Sequence, residues 1–146
     1  MIFKTFIFHI RTKVPLSRFR LLFMLHELCN RLGLTKVGEP IIRTFPDHPN
    51  AYTILQVIAQ SHVSIETWPE LELVRVIVDS CSEVRYDICV EVFDQFLDPY
   101  WFTCNEVERR IEVNEDPSSY KTLSKSPNTT AHQNSPPEEQ IRSQST

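Results

Sequence analysis

The 146-residue chain has no basic surplus, no paired-cysteine motif and no long apolar run, and each absence removes a class of function. Net charge is −4, with 15 Lys and Arg against 19 Asp and Glu. A nucleic-acid-binding domain normally carries a positive surplus to meet phosphates, so that balance argues against one. Cys29, Cys81, Cys89 and Cys104 show no C-x-x-C spacing and no paired histidine cluster, which argues against a structural zinc site. No other metal is expected. Residues 2–10 are apolar, but Lys4 and His9 interrupt them, and the run is too short to span a bilayer. No small-residue cleavage site follows it, so free thiols, a cytoplasmic location and no membrane partner are the expectation.

What is present is enough for one core, since 41% of residues are hydrophobic. Residues 1–113 read as one folded domain. Residues 114–146 are dominated by Ser, Thr, Pro, Asn, Gln and charge, and read as a disordered polar tail. Such a segment buries too little apolar surface to offset its ordering entropy.

Residues 2–10 read as a strand rich in Ile and Phe. Ser17 is placed to cap a helix in which Leu21, Leu25, Leu28 and Leu32 share one face, and Gly33 is placed to end it. Residues 36–44 read as a second strand and the FPDHPNA stretch, 45–51, as a loop stiffened by Pro46 and Pro49. Residues 52–60, 61–68 and 72–80 read as further strands, broken at Pro69. Residues 83–97 read as a helix with Val84, Ile88, Val92 and Phe96 at i, i+4 spacing, and 100–113 as a strand returning to the sheet edge. Few helices and consecutive strands predict an α+β two-layer sandwich, with a largely antiparallel sheet and two helices on one face. An open sheet face would favour pairing into a dimer.

The informative stretch is 52–81, YTILQVIAQSHVSIETWPELELVRVIVDSC. It resembles the active-site region of bacterial-type S-adenosylmethionine decarboxylases, which read approximately E-S-H-x-S-I-H-T-W-P-E followed by a strand ending in T-C-G. The layout extends over residues 1–113 and the motif over about 50–82. In that family a serine becomes a pyruvoyl cofactor, and Ser61 matches it. The resemblance implies that the Ser61 hydroxyl attacks the carbonyl of Gln60, that an ester replaces the amide, and that elimination cuts the chain between the two residues. The ketone left at position 61 would serve as an electron sink for decarboxylation of S-adenosylmethionine, feeding spermidine synthesis.

The same resemblance assigns the other residues. Cys81 matches the cysteine that returns a proton to the substrate carbon. Glu70 matches a ribose-binding glutamate, whose carboxylate can accept two hydrogen bonds from a diol. Thr53 stands where the family has a serine that assists processing. His62 follows the cleavage serine and supports the motif without an assigned role. A homodimer with sites near or between protomers is implied.

The departures are specific. Glu66 stands where the family has a histidine linked to elimination, and a solvated carboxylate is a weaker base than imidazole. Gln60 replaces a glutamate, Asp47 falls where an adenine-stacking aromatic is expected, Glu72 and Arg75 replace small residues, and Ser82 replaces a glycine. Three readings follow: an active S-adenosylmethionine decarboxylase, a pyruvoyl decarboxylase of another amino acid such as arginine or ornithine, and an unprocessed homologue that serves as a binding or regulatory dimer partner.

Overall fold

The computed structural model describes residues 1–112, which form one compact unit, Met1–Glu112. The tail expected over 114–146 lies outside the described residues. Six strands and two helices follow in the order β1 (Ile2–Arg11), α1 (Arg18–Arg31), β2 (Ile41–Phe45), β3 (His48–Ile58), β4 (Ser61–Trp68), β5 (Leu73–Ser80), α2 (Tyr86–Leu97) and β6 (Trp101–Arg110). The sheet order is β2-β3-β4-β5-β1-β6 and every pairing is antiparallel. This is the α+β sandwich that the pattern of elements predicts, with the last strand at the sheet edge beside β1.

Alternation decides what the two faces carry. Phe6, Phe8 and Ile10 of β1, Ile54 and Ile58 of β3, Val63 and Ile65 of β4 and Val74, Val76 and Val78 of β5 point one way into a single buried cluster. Leu21, Met24, Leu25 and Leu28 of α1 and Cys89, Val92, Phe93 and Leu97 of α2 close it from above. Phe8 is fully buried at its centre, its ring edge-on to Phe93 at 4.9 Å between centroids. Among the described residues, no helix covers the opposite sheet face.

Local chemistry fixes the ends. Ser17 caps α1 by accepting a hydrogen bond from Arg20 N at 3.2 Å. Gly33, at φ +67°, ends it: Gly33 N donates to Asn30 O and Leu34 N to Cys29 O at 2.8 Å, a Schellman closure. Thr12, buried just past β1, donates its hydroxyl to the Leu97 carbonyl and its amide to Glu72 O at 3.0 Å. One side chain thus ties the end of α2 to the sheet.

Three boundaries differ from the sequence reading. The second strand begins at Ile41, not residue 36. Lys36 makes only an isolated bridge to Ile58, and Gly38 at φ +72° and the donor-less Pro40 interrupt the ladder. Residues 45–51 are not a loop: a two-residue turn at Pro46 and Asp47 is followed at once by β3. Pro49 is tolerated there because the register shifts between Thr44 and Phe45, and Pro49 has no partner in the β2 ladder. Helix α2 starts at Tyr86, since Arg85 is extended at φ −84°, ψ 111°.

The core predicts its own weakest substitution. Phe8→Ala should destabilise the domain by about 3–5 kcal/mol, measured as a lowered urea midpoint with an unchanged slope.

Candidate functional site

Ser61 opens β4 immediately after the two-residue turn Ala59–Gln60 that joins it to β3. Gln60 holds φ at +64°, a left-handed conformation that suits glycine and strains other residues by about 1–3 kcal/mol. The strained residue is the one on the N-terminal side of the bond that the motif marks for cleavage. The turn cannot relax by fraying, because Ile58 is buried on one side of it and Val63 on the other. Ala59 N also donates to Thr35 O at 2.9 Å. The half-buried Ser61 donates its hydroxyl to the backbone carbonyl of Asp79 on β5.

Cys81 arrives from the next strand. Ser80, buried at the end of β5, accepts from Ser82 N at 3.1 Å, and the Ser80 and Ser82 hydroxyls lie 2.9 Å apart. This small turn presents the half-buried Cys81, whose thiol lies 3.7 Å from the Gln60 side-chain oxygen. Gln60, Ser61 and Cys81 are therefore one cluster. The hydroxyl of Ser82 takes part in the turn that a glycine would leave to the backbone.

Thr53 and Glu66 are brought together, but elsewhere. They sit directly opposite each other on β3 and β4, on the open face. Arg43, Thr53, Glu66, Arg75, His9 and Thr103 form a single row across all six strands. Glu66 is engaged: Arg75 donates to its Oε2 from Nε at 2.6 Å and again from Nη2. The Arg75 guanidinium also lies 5.3 Å from the Trp68 ring centre, a cation–π contact. Glu66 lies five positions beyond Ser61 along β4, roughly 16 Å of extended chain. Sequence proximity thus suggests one cluster where the chain holds two.

Glu70 lies on a 3-10 turn, Pro69–Leu71, beyond β4. With Asp47, Asn50 and Pro69 it lines an open cavity of about 290 Å³. Asp47 and Glu70 thus put two carboxylates on one cavity. The buried Thr67 supports this end by accepting from Tyr52 N at 2.9 Å.

Two residues escaped the sequence reading. Arg75 was noted as a change of size, not as the ion-pair partner of Glu66, because the β4–β5 register was unknown. Asp79 was passed over, although a lone acid near the end of an apolar strand is a signal. Its carboxylate accepts from Thr5 Oγ1 at 2.8 Å and lies 3.8 Å from His62 Nδ1.

A family model described as S-adenosylmethionine decarboxylase matches residues 18–110. The chain belongs to the S-adenosylmethionine decarboxylase family. The family is one of carboxy-lyases. An S-adenosylmethionine decarboxylase proenzyme of Methanococcus aeolicus is 32% identical over 87 residues, which are 59% of this chain and 72% of the relative. A proenzyme of the same description from Methanococcus maripaludis strain C5 is 34% identical over 95 residues, 63% of this chain and 75% of the relative. The crystal structure of the adenosylmethionine decarboxylase from Aquifex aeolicus has the same fold, with a TM-score of 0.64 and 23% identity over 79% of this chain and 95% of that one.

The thiols differ in kind. Burial pushes Cys89 up to about 12 and raises Cys29 and Cys104 as well, so all three stay protonated at neutral pH. In the folded protein an excess of maleimide should label Cys81 first, with Cys29 and Cys89 reacting only after denaturation. Peptide mapping of the labelled protein reads this out.

Proposed function

We propose that this chain is the proenzyme of a pyruvoyl-dependent S-adenosylmethionine decarboxylase that cuts itself between Gln60 and Ser61. The observation that carries the proposal is the strained Gln60–Ser61 turn with the Cys81 thiol beside it. The hydroxyl of Ser61 is one bond-forming step from the Gln60 carbonyl, and the left-handed Gln60 raises the energy of the intact peptide. Ser61 is half-buried with the Cys81 turn beside it, and these residues suit a small ketone at position 61. That group would supply an electron sink that weakens the bond to the substrate carboxylate. Cys81 is positioned to move a proton from Sγ to the substrate carbon, and Glu70 to accept hydrogen bonds from the ribose.

The separation of the two clusters supports a homodimer. The open face offers the half-buried Phe3, Ile7, Leu55 and Ile77 beside the polar rows, a surface suited to a second copy. Facing sheets related by a two-fold axis would bring Thr53, Glu66 and Glu70 of one protomer toward Ser61 and Cys81 of its partner. Such an enzyme would act in the cytoplasm and feed aminopropyl transfer to spermidine. A second reading, an unprocessed partner subunit, is favoured by the Arg75–Glu66 ion pair alone, which withdraws Glu66 from proton transfer.

Intact-mass analysis of the purified protein separates the readings. The proposal expects two fragments, residues 1–60 and 61–146, the second with a blocked N-terminus, and an uncut chain for Ser61→Ala. A wild-type chain that stays whole supports the unprocessed reading. In cut protein, Cys81→Ala should lower CO₂ release from carboxyl-labelled S-adenosylmethionine by roughly a hundred-fold while leaving the fragments unchanged. Faster release from labelled arginine or ornithine would reassign the substrate.

A further inference from the structure

The polar row next to the cleavage point is Val57, His62, Asp79, Thr5 and Val107, from β3 across to β6. Asp79 is its centre. One carboxylate oxygen accepts from Thr5, the other faces His62 Nδ1 at 3.8 Å, and the Asp79 backbone carbonyl accepts the Ser61 hydroxyl. One residue therefore holds the hydroxyl that would attack through its backbone and faces the imidazole with its side chain.

The geometry of the strand says where a base is needed. Val63, Ile65 and Thr67 are buried on the helix-covered face of β4, so alternation puts the Ser61 Cβ on that side too. The Cα–H of an extended residue lies close to the plane of the sheet and is directed at a neighbouring strand. Elimination removes that hydrogen. A base for it within the chain must stand at the Ser61 end of the sheet, clear of the helix-covered core. His62 and Asp79 stand there, whereas Glu66 of the same chain lies a further four residues along the strand with Arg75 on its Oε2.

We propose that His62, positioned by Asp79, is the base that takes the Ser61 α-proton during self-cleavage. The inference rests on the self-cleaving reading above and deepens it. Ser61 Oγ adds to the Gln60 carbonyl carbon, the C–N bond breaks, and the amine takes the hydroxyl proton, leaving an ester. His62 takes the Cα proton and the electron pair closes a Cα–Cβ double bond. The Cβ–Oγ bond breaks and Gln60 leaves as a carboxylate. The proton returns to Cβ, and water replaces the nitrogen, which departs as ammonia. Imidazole suits this step because it can both take and give a proton near neutral pH.

The test uses the full chain and hydroxylamine, which cleaves esters and leaves ordinary amides intact. His62→Ala and His62→Gln should cut spontaneously at least about a hundred-fold more slowly than wild type. Both should stall at the ester, so that hydroxylamine releases a fragment beginning with unblocked Ser61. Added imidazole should restore spontaneous cutting of His62→Ala, which a purely structural role would not allow. Asp79→Asn should slow cutting of the wild-type chain but add nothing to His62→Ala, the mark of a residue acting through the imidazole. Wild-type rates in both His62 variants, or a stalled His62→Ala that imidazole does not rescue, would overturn the assignment. A wild-type chain cut neither spontaneously nor by hydroxylamine would overturn self-cleavage itself, and the base with it.

Discussion

The register of β4 between β3 and β5 is the constraint on which the rest depends. Successive side chains of a strand point to opposite faces, and slipping the pairing by one residue would exchange those faces. Val63 and Ile65 are each fully buried against the helices, so that slip would turn two large apolar side chains out of the core and Ser64 and Glu66 into it. Burying Val or Ile is worth about 1.5–3 kcal/mol each. The core thus locks the register. The locked register then dictates that Glu66 meets Thr53 and Arg75, that His62 meets Asp79, and that Ser61 falls at the turn.

The same constraint explains why an acid and a base stand together. Glu66 and Arg75 are direct cross-strand partners on an uncovered face. A carboxylate alone in a half-buried row would need a partner, and a guanidinium directly opposite supplies one with two N–H donors. The pair is self-sufficient, and the Arg75 guanidinium lies over the Trp68 ring as well. Glu66 is thereby held as an acceptor within its own row.

Much of the fold was legible from the sequence because it rests on local signals. Ser17 and Gly33 bracket α1 as read, and the alternation in residues 61–68 and 72–80 gives the correct strands. What failed was non-local. Pro46 and Pro49 read as loop markers, and only the register shift against β2 shows that a proline can sit in β3. The cluster of Ser61, Gln60 and Cys81 was foreseen from the motif. The distance of Glu66 and Thr53 from it was not, because closeness in sequence along a strand is not closeness in space: every residue adds about 3.3 Å. Arg75 and Asp79 depend on cross-strand pairing, which no single segment encodes.

The turn before Ser61 completes the argument. A glycine at position 60 would accept φ near +64° without strain, and glutamine does not. The cost is sustained because Ile58, Val63 and Val78, all buried within the same sheet, hold the strands together on either side of the turn. Energy drawn from apolar burial is thereby kept in one exposed peptide unit, that of the residue before the serine. Conversion of that amide to an ester is unfavourable for an unstrained chain, and raising the starting point by even about 1.4 kcal/mol shifts such an equilibrium tenfold. The hydrophobic core and the proposed cleavage are therefore coupled through one turn. The first maintains the strain that the second would release.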